Sequence, residues 1–207
     1  MIESSEKTAC ARAAARAYPD ERGHCERVAL LAALLFDQLK PLHRLGEPMR
    51  ELLVCAALLH DIGISVSFNK HHKHSLDLIL RAALPALTRR EKQIAANVAR
   101  YHRKALPAMK HSAFRVLQPQ DREAVRKLGA LIRVADGLDR AHENAVSAIS
   151  AVQTTPDQWE LVISGSGDLD YAADSGMRKR DLFEDVFDVG LSITTKGRHA
   201  VAGTRTR

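Results

Sequence analysis

One of the ten histidines in this 207-residue chain stands beside an aspartate where an apolar run stops. LLVCAALLHDIG, residues 52–63, ends in His60 and Asp61 just before Gly63. A neutral imidazole and a carboxylate side by side at a helix end can face one cation together. His24, His74, His102 and Asp136 each lie on or beside a predicted helix and could complete the site. Histidines and carboxylates seldom share an interior unless something neutralises them, because an unpaired buried charge is costly or changes its protonation. A divalent metal, as one or two ions, supplies that neutralisation. This donor set suits Mn, Fe, Co, Ni or Zn, with Mg also allowed. A hydrogen-bonded His/Asp network is the alternative. Lys73, Arg103 and Arg140 adjoin proposed ligands or lie a turn away, where they would bind a substrate phosphate; plain surface charge is the competing reading. Asp139 could orient Arg140 or a ligand imidazole. His71 and His72 read as solvated neighbours, one of which could touch substrate, and His43, His111, His142 and His199 as structural or exposed.

Helices must position these groups. An Ala- and Arg-rich helix over 3–17 stops at Tyr18-Pro19. From His24, apolar residues recur at three- and four-residue steps (Val28, Leu31, Leu35, Leu39) toward Pro41, which predicts an amphipathic helix with His24 on its buried face. The next helix runs from Pro48 to His60-Asp61, with Gly63 suited to a left-handed helix end. The polar connection SVSFNKHHKHS precedes a helix over SLDLILRAAL that stops at Pro85. Thr88 and Glu91 form a capping box that starts a helix leading to His102. A long helix from about Asp121 delivers Asp136, which makes six helices. Beyond residue 145, VSAISAVQ and WELVISG predict a hairpin, MRKRDLFEDVF a helix and LSITT a third strand. The expected fold is mainly α. It comprises a helical bundle over 1–145 and a small C-terminal α+β (β-β-α-β) appendage over 146–207 that packs on it and ends in a frayed tail.

Composition narrows the classes. No apolar stretch reaches the roughly 18 residues needed to cross a bilayer, so no membrane partner is expected. The N-terminal stretch lacks the apolar centre of a secretory signal, and three cysteines without CxxC spacing fit reduced, structural thiols; the expected location is cytoplasmic. Formal net charge is +6, from 31 Lys plus Arg against 25 Asp plus Glu. That balance favours phosphate-rich ligands, whereas aromatic residues at 4% and the lack of a glycine-aromatic strand motif argue against nucleic acid. Helical faces and the appendage offer surfaces for a homodimer, though no heptad seam marks one.

The order His24, His60-Asp61, Asp136 resembles the H...HD...D signature of the HD-domain metal-dependent phosphohydrolase superfamily. That resemblance implies that these four residues bind a primary metal, with Asp61 the catalytic carboxylate that also bridges to a second. His74 and His102 match positions that bind a second metal in some HD enzymes. Ile64 stands where the binuclear phosphodiesterase branch often has Lys, and no GYP tripeptide follows. AALLHDIG, HHKHSLDLIL, VARYHRKALP and LIRVADGLDRAH resemble the C-terminal helical region of the exopolyphosphatase and guanosine pentaphosphate phosphatase family. That family's actin-like ATPase-fold module is not represented in these residues, so the resemblance implies a free-standing HD-type domain. The expected activity is hydrolysis of a phosphoester or phosphoanhydride of a nucleotide or similar phosphorylated small molecule. The alternative is a non-catalytic accessory module that binds polyphosphate or a guanosine alarmone beside an exopolyphosphatase-type partner.

Overall fold

The computed structural model describes residues 5–196. Its first part is all helical: α1 (Glu6–Ala15), α2 (His24–Gln38), α3 (Lys40–His43), α4 (Glu47–Leu59), α5 (His71–Arg81), α6 (Arg89–Arg100), α7 (Ser112–Arg115) and α8 (Pro119–Leu138). The two helices beyond the expected six, α3 and α7, are four residues long, too short for an apolar period to show. None of the helices among the described residues is long and apolar enough to cross a membrane.

Burial explains the arrangement. Every residue from Leu52 to Leu59 of α4 is buried, and so is every residue from Leu128 to Leu138 of α8, so these two stretches are enclosed on all sides. Helices α1, α2, α6 and α8 pack around α4. Both enclosed stretches end at candidate ligands: α4 at His60 and Asp61, and α8 at Asp136.

The expected helix starts hold in detail at α6. Thr88 Oγ1 accepts the Glu91 N–H while the Glu91 carboxylate accepts the Thr88 N–H, a reciprocal cap worth roughly 1 kcal/mol. Glu91 also takes the Lys7 ammonium at 2.7 Å, which ties α1 to the start of α6. Helix α5 differs. It begins at His71, four residues before the expected start, and its N-cap is Lys70 with φ 59° and no capping side chain. The missing Ser, Thr or Asp is why the sequence conceals this start. Gly63 differs too, because its φ is not left-handed. A Cβ there would collide with the His71 carbonyl and lie 2.5 Å from the Ser75 nitrogen. Gly63 is thus required by the close approach of α5, and its N–H donates to Ser75 Oγ at 2.9 Å.

The remainder is a three-stranded sheet and two helices: β1 (Val146–Thr155), β2 (Gln158–Gly165), α9 (Leu169–Met177), α10 (Asp181–Phe187) and β3 (Gly190–Thr195). β1 and β2 form the expected antiparallel hairpin, with Ala151 opposite Leu161, and β3 pairs parallel to β2. The helix expected over residues 177–187 begins only at Asp181, as α10, and α9 precedes it as an unexpected helix, separated by Arg178-Lys179-Arg180. Trp159, Leu161, Ile163, Leu191 and Ile193 turn inward and join one apolar core with α8 and α2. The tail expected to fray, residues 197–207, lies outside the described residues.

Among the described residues, seven other than glycine adopt left-handed backbone, including Arg22, Lys70, Lys104 and His142. These four each stand within three residues of a histidine or aspartate of the site described next.

Candidate metal centre

Six side chains from five segments converge at one end of the bundle, in two groups. His24, His60 and Asp136 form the first, Asp61, His71 and His102 the second, and the ligand atoms within each lie no more than 4.8 Å apart. Asp61 stands between them. Its Oδ2 is 3.6 Å from His60 Nε2, and its Oδ1 is 3.2 Å from His71 Nε2 and 3.5 Å from His102 Nε2. In the first group Asp136 Oδ1 is 3.4 Å from His24 Nε2 and 3.9 Å from His60 Nε2.

Every imidazole has its far nitrogen committed. Nδ1 of His60 donates to the Ala57 carbonyl (2.6 Å), that of His102 to Ala99 (2.7 Å) and that of His71 to Phe68 (3.0 Å). A carbonyl or carboxylate only accepts, so these partners put the proton on Nδ1 and leave Nε2 as a lone pair facing inward. His24 Nδ1 donates to Asp139 Oδ2 at 2.8 Å, so the buried Asp139 orients a ligand imidazole rather than Arg140. His71 Nε2 and His102 Nε2 face each other at 3.3 Å, lone pair toward lone pair. His60 Nε2 and Asp61 Oδ1 are buried and without a hydrogen-bond partner. The Arg103 guanidinium donates to His71 Nε2, but His60 Nε2 and Asp61 Oδ1 stay unpartnered, and this donor set fits a divalent metal.

The electrostatics point the same way. Burial pushes His24 down, yet Asp136 and Asp139 outweigh it and raise its pKa to about 9. Burial pushes Asp61 up, but His60, His71 and His102 hold it below the ordinary carboxylate range. Asp136, fully enclosed, is likewise held low by His24 and Lys179 against the cost of burial. His102 is lowered to about 3 by burial, which keeps it neutral and able to ligate. The site stabilises positive charge and disfavours a second proton on His102.

The structure places His71, not His74, beside Asp61 and His102. Because α5 starts at His71, its first turn faces the site, and His74 is half-buried one turn further on. His71 and His72, expected as solvated, are both buried. Among the expected phosphate-binding cations, Arg103 reaches the centre, with Nη1 3.2 Å from His71 Nε2. Lys73 and Arg140 are exposed. Two residues with unforeseen roles complete the surroundings. Lys179 Nζ lies 2.6 Å from Asp136 Oδ2, and His142 stacks on His24 with ring centroids 3.9 Å apart. His43 is structural as expected: Nε2–H donates to the Phe36 carbonyl and Nδ1 accepts from Leu45.

A narrow slot lined by His24, Asp61, Ile64 and His142 opens beside the centre. It shares Pro19, Asp20 and Cys25 with a cavity of about 200 Å³ whose walls include Tyr18, Leu58 and Ile62.

Comparison with known proteins agrees with this architecture. The profile described as Ppx/GppA phosphatase, domain III, matches residues 7–185. Guanosine-5'-triphosphate,3'-diphosphate pyrophosphatases from two strains of Vibrio cholerae serotype O1, Classical Ogawa and El Tor Inaba, are each 26% identical over 149 residues. The match covers 72% of this chain and 29% of each relative, so the chain spans less than a third of their length. A fold and a match that both run from the first helix into the α+β part place the chain in the Ppx/GppA phosphatase family, through that family's domain III.

Proposed function

We propose that the chain is an HD-type metal-dependent phosphohydrolase that cleaves a phosphoester or phosphoanhydride of a nucleotide or similar small molecule. The supporting observation is the pair of buried, unpartnered atoms His60 Nε2 and Asp61 Oδ1, set among imidazoles whose other nitrogens are already bonded. His24, His60, Asp61 and Asp136 would hold one ion, and Asp61, His71 and His102 a second. A bound divalent ion would lower the pKa of a coordinated water and polarise a phosphoryl oxygen. Asp61 is the carboxylate that faces both groups. Arg103 offers a cation beside His71 to orient a phosphate, with Lys73 and Arg140 assigned to approach of the anion. The cavity joined to the slot favours a ligand with an organic ring over a bare polyphosphate. Leu58 and Ile62 give it apolar walls, while its charged lining is balanced, with Arg12 and Arg16 against Asp20 and Glu26.

The test is elemental analysis of the purified protein, followed by a phosphate-release screen over nucleotides with the metals found. His60→Ala and Asp61→Ala should each remove most of the metal and lower turnover by at least about a hundredfold. Chelation should lower the melting temperature of the native protein, since an ion bound only to the folded state stabilises it. Activity that survives both substitutions would exclude this site. A second reading is favoured by the relatives, of which the chain spans only 29%. On that reading it is an accessory module that binds polyphosphate or a guanosine alarmone beside a separate catalytic partner. Tight, chelator-insensitive polyanion binding without turnover would select it.

A further inference from the structure

We propose that Lys179, carried by the C-terminal α+β part, is a positioning residue of the metal centre. It holds one carboxylate oxygen of Asp136 so that the other alone faces His24 and His60. The inference rests on the reading of those residues as metal ligands.

Asp136 divides its two oxygens between two neighbours. Oδ1 faces the Nε2 atoms of His24 and His60, and Oδ2 is taken by Lys179 Nζ at 2.6 Å. The same ammonium is 3.4 Å from the His102 carbonyl, so one cation spans the ends of α8 and α6. A carboxylate whose outer oxygen is bonded in this way cannot turn both oxygens toward an ion. It therefore leaves room at the ion for water or a phosphate oxygen.

The fold goes to some length to bring this lysine in. Lys179 follows the end of α9, and α9 lies against α8 through two facing glycines. A Cβ on Gly137 would come within 2.8 Å of Gly176 Cα and of the Ser175 carbonyl, and 3.0 Å from Lys179 Cγ. Any larger residue at 137 would push α9 and the lysine stem away. On the other side of the same turn, the buried Arg133 grips Asp181 at 2.8 Å to both carboxylate oxygens, one helical turn before Asp136 on α8. The turn is thus clamped on both flanks of Lys179. Its partner Asp136 is buried, with a side chain 8% exposed. A chance surface ion pair needs no such support.

The test compares Lys179→Met, Lys179→Arg and Gly137→Ala in the full chain, loaded with Co²⁺. Removing the ammonium frees the second oxygen of Asp136 and removes a like charge beside the ion. Co²⁺ affinity of Lys179→Met should therefore hold or rise, and its visible bands should weaken as coordination increases. Turnover should fall about tenfold to a hundredfold. Lys179→Arg should restore the wild-type spectrum, and Gly137→Ala should reproduce the Met spectrum with the lysine still present. Joint loss of Co²⁺ and thermal stability in Lys179→Met would reduce Lys179 to a structural salt bridge. An unchanged spectrum would remove it from the centre while leaving the metal reading intact. Failure of the wild type to bind Co²⁺ would overturn both.

Discussion

The two groups of ligand atoms differ in how most of their members are oriented, although His60 of the first is fixed locally, by the Ala57 carbonyl. In the first, the His24 ring is fixed by Asp139, 115 residues away, and Asp136 by Lys179, 43 residues away. In the second, His71 and His102 are each fixed by the carbonyl three residues earlier, Phe68 and Ala99. Local turns suffice to aim the second pair of rings. The first group is complete only when α2, α8 and the α+β part have docked. It follows that the first group reports on tertiary assembly, and the second on the packing of α5 against the turn after Asp61.

Substitutions can separate the two. Asp139→Ala should have the largest effect, because it leaves His24 Nδ1 buried without its acceptor. Metal affinity of the first group should drop about tenfold to a hundredfold while the second keeps its ion, which calorimetric titration would show as one tight site in place of two. Equal loss at both would mean that the groups are not independent. Gly63→Ala acts on the other side. The added methyl meets the His71 carbonyl and Ser75, so α5 must shift, with a stability cost of about 1–3 kcal/mol by denaturant unfolding and loss of the second ion only. The smallest contrast is between neighbouring histidines. His71→Ala should lower occupancy of the second group, whereas His74→Ala should change it by no more than about twofold, less than the effect expected of a residue supporting a ligand.

Legibility from sequence followed the range of these same forces. His60-Asp61 could be read because an apolar run that stops at two polar residues is a local pattern. The α6 start could be read because Thr88 and Glu91 satisfy each other three residues apart. His71 could not, since Lys70 opens α5 without a capping side chain and HHKH looks like solvated loop. Lys179 sits in MRKRD, which has the composition of an exposed face. The Gly137–Gly176 contact, 39 positions apart, and the Arg133–Asp181 pair, 48 positions apart, turn it inward without any periodicity to announce it. The expected Gly63 role failed for a related reason. A glycine needed for close approach and one needed for left-handed backbone look alike in a sequence.

The left-handed backbone at Arg22, Lys70, Lys104 and His142 carries a different consequence, for how the protein can be stabilised. A side chain held in that region costs on the order of 1 kcal/mol, which glycine would relieve. These corners are therefore where a screen for heat resistance would find gains. Each gain would come with a looser turn beside a ligand. In this chain, thermal robustness and a well-aimed histidine draw on the same few backbone angles.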